Sequence, residues 1–361
     1  MVAARAVPFF IAVAAVVFAS AGRSSAALSR QQPRTVPQDQ AATSDADAAP
    51  RIRQAAEQGD GAAQFNLGSM YAEGRGVPQD DAQAIQWYRK AAAQGNASAA
   101  YNLGWMYSQG RGVPQDDAQA IQWYRKAAAQ GLALAQGSLG LMYDRGRGVP
   151  QDDGQAVFWY RKAGEQGLAV AQANLGWMYD RGRGVPQDDK QAVSWYRKAA
   201  EQGIASAQLN LGWMYERGRG VPQDDGQAVQ WYRKAAEWGF AVAQLSLGRM
   251  YESGRGVPQD YRQAAQWYRK AAEQGLATAQ GNLGTMYAQG QGVALDYVEA
   301  LRWLSLASAR ASGEDQKKIA AEREALARLR DALVLLMTSD QIADAQKRER
   351  DWIEAFDRRE K

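Results

Sequence analysis

The sequence predicts an all-α protein, an α-solenoid built from helical hairpins, and three observations indicate this fold class. The stretch GRGVPQDDAQAIQWYRKAAAQG at residues 74–95 recurs letter for letter at 110–131. Tryptophan recurs every 36 residues from Trp87 to Trp303, and glycine keeps the same period from Gly68 to Gly284. Each period holds two runs of apolar residues at helical spacing. A fixed period of this length is typical of arrays in which each unit buries its apolar face against its neighbours.

The N-terminus predicts export. It carries a positive Arg5, an apolar run over residues 6–19 and small residues up to Ala21, which together indicate a signal peptide at 1–21. A second possible cleavage site lies at 24–27. The apolar run is shorter than the ~20 residues that span a bilayer. We therefore expect a periplasmic or secreted protein with no integral membrane span after cleavage.

Residues 22–50 contain few large apolar side chains and are predicted to be a flexible linker. Residues 51–310 are predicted to hold seven repeats preceded by a half repeat. The half repeat is RQAAEQG at 53–59, which matches RKAAAQG at 89–95.

In the first repeat, apolar spacing predicts a first helix over about 62–73 and a second over about 81–93. Gly74 supplies the left-handed residue that ends the first helix, and Pro78 prevents its continuation. Asp80 with Gln83 forms a capping-box pattern at the start of the second helix. The second helix has an apolar face, in which the recurring tryptophan is expected to fill the space between hairpins: Ala84, Trp87, Tyr88, Ala91 and Ala92.

The stretch AQANLGWMYDRGRGVPQDDKQAVSWYRKAAEQG at 171–203 resembles the Sel1-like repeat. That family carries L-G-x-M-Y, a loop G-x-G-V-x-x-D, and A-x-x-W-Y-x-K-A-A. The resemblance implies a right-handed superhelix that acts as an adaptor or scaffold between proteins. It also implies a place in the bacterial envelope, where similar proteins regulate sensor kinases or assemble complexes. Some relatives hold a disulfide in each repeat, but this chain has no cysteine, so its stability must come from packing.

Residues 311–361 fall outside the period and are predicted to be a helical cap over the last open face. Leu326, Leu329, Leu333 and Leu336 are expected on one helical face, and Ser339 or Asp340 is expected to begin a further helix. The alternative is an amphipathic helix that binds a partner.

Partner-binding residues are expected where the copies differ on the exposed side of the first helix. The hypothesis is an aromatic ridge of Tyr101, Trp105, Trp177 and Trp213, with Arg249 at the same position in a later repeat. Four carboxylates add a negative edge for a basic segment, extended or helical: Asp144, Asp180, Glu216 and Glu252. Three amides are candidates for bonding a peptide backbone: Asn102, Asn174 and Asn210. In the alternative interpretation, the tryptophans are buried in the core between repeats, and the asparagines form hydrogen bonds with the backbone of the loops.

No catalytic, cofactor or metal residues are predicted. The chain has neither histidine nor cysteine, which excludes the usual nucleophile triads and zinc sites. The glycine-rich loop lacks the Gly-Lys-Ser/Thr of a phosphate loop, and the recurring aspartate pairs are read as helix caps rather than calcium ligands. Net charge is +4 with alternating signs, which does not indicate nucleic-acid binding. The remaining alternatives to a scaffold are a carboxylate enzyme acting on cell-wall polysaccharide and a structural spacer.

Overall fold

The structure, a computed structural model, describes residues 38–310, 324 and 327–360, and every regular element in these ranges is an α-helix. The predicted signal peptide and residues 22–37 of the predicted linker lie outside the described residues. The chain divides into two compact units, residues 1–188 and 189–361.

The first unit is a series of helices in which each packs on the next along the chain. Helices α2 and α3, α4 and α5, and α6 and α7 form the three hairpins, α1 packs on α2, and α8 packs on α7. The helix bounds are α1 Gln38–Glu57, α2 Gly61–Glu73, α3 Asp81–Ala93, α4 Ala97–Gln109, α5 Asp117–Ala129, α6 Ala133–Arg145, α7 Asp153–Glu165 and α8 Ala169–Arg181.

The second unit repeats this arrangement. Helix α9 packs on α10, the pairs α10 and α11, α12 and α13, and α14 and α15 form hairpins, and α16 packs on α15. The helix bounds are α9 Asp189–Glu201, α10 Ala205–Arg217, α11 Asp225–Glu237, α12 Ala241–Ser253, α13 Tyr261–Glu273, α14 Ala277–Gln289, α15 Tyr297–Arg310 and α16 Ser339–Glu360.

The loop chemistry sets the ends of these helices, as predicted. Gly74 ends α2 with φ of 68°, and its amide donates to the Met70 carbonyl. The Asp80 carboxylate begins α3 by accepting the Gln83 amide at 2.9 Å. This cap recurs at the start of four later helices, at Asp116, Asp152, Asp224 and Asp260.

A tyrosine fills the space between the two helices of a hairpin. A Cβ atom added at Gly68 would lie 2.7 Å from the Tyr88 ring, so the glycine makes room for that ring. Tyr88 is buried, whereas Trp87 is only half-buried with the Lys90 ammonium 3.9 Å from its ring centre. The recurring tryptophan keeps its predicted role between hairpins, since Trp123 packs against a core cluster that includes Ala84 and Ile85 of the preceding hairpin.

The N-terminal half repeat is longer than predicted. Helix α1 begins at Gln38, so residues 38–50 of the predicted linker are helical. Residues 45–57 precede the α3 sequence by one period. The Asp45 carboxylate lies 3.7 Å from the Arg75 guanidinium, and the equivalent aspartates and arginines also pair in later repeats. The segment is helical despite its lack of large apolar residues, because small side chains such as Ala49 and Ala56 are buried.

The C-terminal helices pack as a cap on the last repeat. Leu333 is buried beside Ala300 and Leu304, with Leu329 half-buried at the same cluster. Leu326 lies outside the described residues. The prediction for Leu336 is wrong: the helix described over 327–334 ends before it, so Leu336 lies in the following turn and is 67% exposed.

Helix α16 begins with a capping box one residue earlier than predicted. The Thr338 hydroxyl accepts the Gln341 amide at 3.3 Å, and the Gln341 side chain accepts the Thr338 amide at 2.9 Å. Trp352 of α16 is buried against Trp303 of α15, with ring centres 6.3 Å apart. The predicted capping contact is thus made by an aromatic pair.

Candidate partner-binding face

The three tryptophans of the predicted ridge lie on first helices, Trp105 on α4, Trp177 on α8 and Trp213 on α10. Each is half-buried, so neither the fully exposed nor the fully buried alternative describes them. Trp105 packs its apolar surface against the hairpin cores on one side. Each indole is also covered by an arginine of the following loop, with guanidinium to ring-centre distances of 5.3 Å for Arg111, 4.9 Å for Arg183 and 4.9 Å for Arg219.

These arginines belong to a recurring set of ion pairs that we call the arginine ladder. Each loop arginine bonds the first aspartate of the preceding second helix, which lies 30 residues earlier. The pairs are Arg111 with Asp81, Arg147 with Asp117, Arg183 with Asp153, Arg219 with Asp189, and Arg255 with Asp225. Where a tryptophan is present, it therefore lies under a guanidinium whose position is fixed by a bidentate carboxylate.

Two carboxylates of the predicted negative edge are already paired with the ladder. Asp144 lies 3.1 Å from Arg183, and Glu216 lies 3.0 Å from Arg255. Burial raises the pKa of Asp144 even though Arg183 acts in the opposite direction. The same arginine lowers the pKa of Asp153 by hydrogen bonding to it.

The other two carboxylates of this edge, Asp180 and Glu252, differ in the groups that they contact. Asp180 is 5% exposed and lies 3.5 Å from Arg181. Glu252 accepts the Tyr268 hydroxyl at 2.6 Å, but the next loop has Gln291 where earlier repeats have arginine. Within the part of the chain that the structure describes, Glu252 makes no ion pair. It is therefore the carboxylate of this set that is most available to a basic partner.

The comparisons with known proteins match this architecture. The model of the Sel1 repeat family matches seven consecutive segments: 61–96, 97–132, 133–168, 169–204, 205–239, 241–276 and 277–312. The chain belongs to the Sel1-repeat family. The fold class predicted from the sequence, an all-α solenoid of tandem hairpins, is confirmed, as is the number of repeats. Sel1-repeat proteins generally act as scaffolds for protein interaction and are typically non-catalytic.

Two solved structures extend the comparison. A Sel1-repeat protein from Oxalobacter formigenes is 37% identical with a TM-score of 0.62, and the match covers 89% of this chain and 91% of that one. A protective antigen of uropathogenic Escherichia coli that displays the SLR fold is 32% identical with a TM-score of 0.50, covering 84% and 86%. A search of curated proteins finds no match.

The remaining predicted site residues also lie on first helices of this Sel1-repeat protein. Tyr101 is half-buried, with its ring centre 5.6 Å from that of Tyr124, and Arg249 is exposed. Asn102, Asn174 and Asn210 are half-exposed. Burial raises the pKa of Tyr88, with a smaller opposing effect from a hydrogen bond with Asn102, and Tyr160 shows the same relation to Asn174. Both asparagines therefore lie near tyrosine hydroxyls of the preceding hairpin, and the Tyr88 hydroxyl itself donates to the Ser69 hydroxyl at 3.1 Å.

Sequence reasoning missed the arginine ladder. The signal was present as a constant spacing of 30 residues between aspartate and arginine, but it becomes interpretable only when the hairpins are placed side by side. In the described ranges no cluster of three or more metal-ligating side chains occurs, and no helix there is both long enough and apolar enough to cross a membrane.

Proposed function

We propose that this protein is a non-enzymatic scaffold of the cell envelope that binds an extended or helical segment of another protein on its first-helix face. The observation that carries the proposal is the partial exposure of Trp105, Trp177 and Trp213. Each is half-buried, so part of each indole remains exposed on a first helix. Aromatic rings held rigid by their neighbours are favourable interface anchors, because binding costs them little conformational entropy.

The variation between repeats supports the same proposal. The tryptophan position carries Leu141 in one repeat, Arg249 in another and Thr285 in the last, and the fold accommodates all of them. Packing therefore does not require tryptophan at this position. We propose that a basic part of the partner contacts Glu252, while Asp144 and Glu216 serve mainly to hold the ladder.

The test exchanges the three ridge tryptophans for the leucine that the chain itself uses at this position. The variant Trp105→Leu, Trp177→Leu, Trp213→Leu is expected to keep its thermal midpoint within a few degrees and to lose the partners that the mature protein captures by crosslinking in envelope extracts. The matched control exchanges three tryptophans of second helices that lie under lysines, Trp87, Trp123 and Trp231, and should retain capture.

A large fall in thermal midpoint in the ridge variant would assign these tryptophans to the core. Unchanged capture in both variants would place the binding face elsewhere on the chain, and no capture even by the unaltered protein would favour a structural spacer.

A further inference from the structure

One turn of the second unit lacks a glutamine that five other turns carry. In five repeats, the residue directly after the second helix is a glutamine: Gln94, Gln130, Gln166, Gln202 and Gln274. Gln94 donates to the Gln64 side chain at 2.9 Å and to the Gly59 carbonyl at 2.9 Å. Gln274 donates in the same way to Gln244 at 2.8 Å. The glutamine therefore joins the turn after the second helix to the first helix of its own hairpin.

Trp238 occupies this position in the second unit and makes no such bond. Its side chain is 74% exposed, compared with 45% for Phe158 in the first unit. Gln208 stands where Gln64 and Gln244 stand in their repeats. It is 3% exposed, and its Oε1 atom has no hydrogen-bond partner. The exchange of glutamine for tryptophan thus leaves a buried acceptor unsatisfied and places an apolar ring in water, and both changes are unfavourable for folding.

Exposed carboxylates end the second helices of this unit, while the arginines one turn earlier donate to tyrosine hydroxyls: Arg197 to Tyr215, Arg233 to Tyr251 and Arg269 to Tyr287. Glu201, Glu237 and Glu273 end the three second helices α9, α11 and α13, directly before their turns, and all three are exposed. None of them pairs with a basic group among the described residues of this unit. The nearby lysines Lys198, Lys234 and Lys270 instead lie 4.1 Å from the ring centres of Trp195, Trp231 and Trp267.

The first unit lacks this combination. Its corresponding helix ends are Ala93, Ala129 and Glu165, and each is followed by glutamine. Three successive second helices that end in glutamate, with a tryptophan after the middle one, are therefore found in the second unit and not in the first. Because the whole chain carries a net charge of +4, attraction of a cation to these turns would be local.

We propose that Trp238 with Glu201, Glu237 and Glu273 forms a docking site for an arginine- or lysine-bearing segment of a partner protein. The cation of the partner stacks on the exposed indole face, and the three carboxylates attract and orient the flanking basic groups. This site is separate from the first-helix face, so it adds a second contact to the scaffold and does not depend on the tryptophan ridge.

The test uses the mature full chain and a fluorescent peptide of eight arginines, with a peptide of eight glutamines as the uncharged comparison. Fluorescence anisotropy is expected to show salt-sensitive binding of the arginine peptide only. The variant Trp238→Gln should bind it about tenfold more weakly, as expected for loss of a cation–π contact. The same variant should unfold at a higher temperature, because Gln208 regains its donor. Loss of binding combined with gain of stability separates a docking role from a structural one.

Two further variants define the charge requirement. The triple exchange Glu201→Gln, Glu237→Gln, Glu273→Gln should weaken binding without lowering the thermal midpoint. Glu165→Gln, at the same repeat position in the first unit, should leave binding unchanged. Equal affinity of Trp238→Gln and the unaltered chain would overturn the proposal. So would self-association of the chain that is abolished by Trp238→Gln, which would make a second copy the occupant.

Discussion

The two ends of the described array are closed in different ways. At the N-terminal end, α1 is a truncated copy of the repeat, and Gly76 meets the Asp45 backbone as Gly148 meets the Asp117 backbone two junctions later. At the C-terminal end, α16 has no counterpart in the repeat and packs through Trp352 on Trp303. One end therefore reuses the junction that joins repeats, whereas the other covers the last repeat with a new aromatic contact.

Both ends also differ from the interior at the repeat position that Tyr88 occupies in the first hairpin. The interior hairpins bury a tyrosine here, whereas the N-terminal half repeat has Ile52 and the last hairpin has Leu304. A buried hydroxyl needs a hydrogen-bond partner, such as Glu216 for Tyr232 at 2.7 Å. The aliphatic residues at the ends avoid this requirement, so the interior is expected to respond to pH in a way that the ends do not.

The largest expected effect is therefore alkaline unfolding of the interior. Burial raises the pKa of Tyr88, Tyr124, Tyr160, Tyr232 and Tyr268. The unfolded chain loses these protons near pH ~10 while the folded chain keeps them. The free energy of unfolding should be unaffected by them below that pH, and should fall above it by about 1.4 kcal/mol per pH unit for each tyrosine.

Absorbance of tyrosinate, followed together with circular dichroism, measures this effect. The buried tyrosines should ionise only as helix is lost. The variant Tyr160→Phe, Tyr232→Phe, Tyr268→Phe should show a shallower dependence of stability on pH, even if it is less stable at neutral pH. Ionisation of all tyrosines near pH ~10 with the helices intact would contradict the prediction.

The aromatic contact at the C-terminal end gives the next largest effect. Trp352→Ala removes a side chain that is 8% exposed and contacts both Trp303 and Phe356. We expect a loss of about 3–5 kcal/mol in urea unfolding of the full chain. Leu335→Ala is the control, because Leu335 is 85% exposed and its removal should change little. Equal stability of the two variants would mean that α16 does not stabilise the last repeat.

The sequence predicted what depends on the period and on local chemistry. The hairpins, the aspartate caps and the glycine stops follow from residues close together in the chain, and the structure places them as expected. The truncated copy at the N-terminal end was recognised only over 53–59, because small buried alanines give no strong apolar pattern before residue 51. The aromatic pairing of Trp352 with Trp303 joins residues 49 apart and outside the repeat, so the period does not indicate it.

The candidate site was less predictable than the fold. The first-helix face was located from differences between copies, but the pairing of Asp144 and Glu216 depends on arginines 39 residues later in the next repeat. The position of Trp238 was not singled out, since one exchange of glutamine in a turn becomes informative only when Gln208 is seen to lose its donor.

The smallest expected effect compares the two kinds of junction within the first unit. A Cβ atom at Gly76 would lie 2.4 Å from the Asp45 carbonyl oxygen, and one at Gly148 would lie 2.3 Å from that of Asp117. Gly95, which also has positive φ, has nothing within 4 Å. Gly95→Ala therefore reports only the cost of the left-handed conformation, about 1–2 kcal/mol.

Gly148→Ala should cost about 1–3 kcal/mol more than Gly95→Ala in urea unfolding, because the backbone of two hairpins must also separate. If α1 is held as firmly as an interior helix, Gly76→Ala will cost as much as Gly148→Ala. If Gly76→Ala costs no more than Gly95→Ala, α1 can detach without disturbing the first hairpin. The N-terminal end would then copy the repeat in geometry without sharing its stability, and the fixed cap of the array would be the aromatic one.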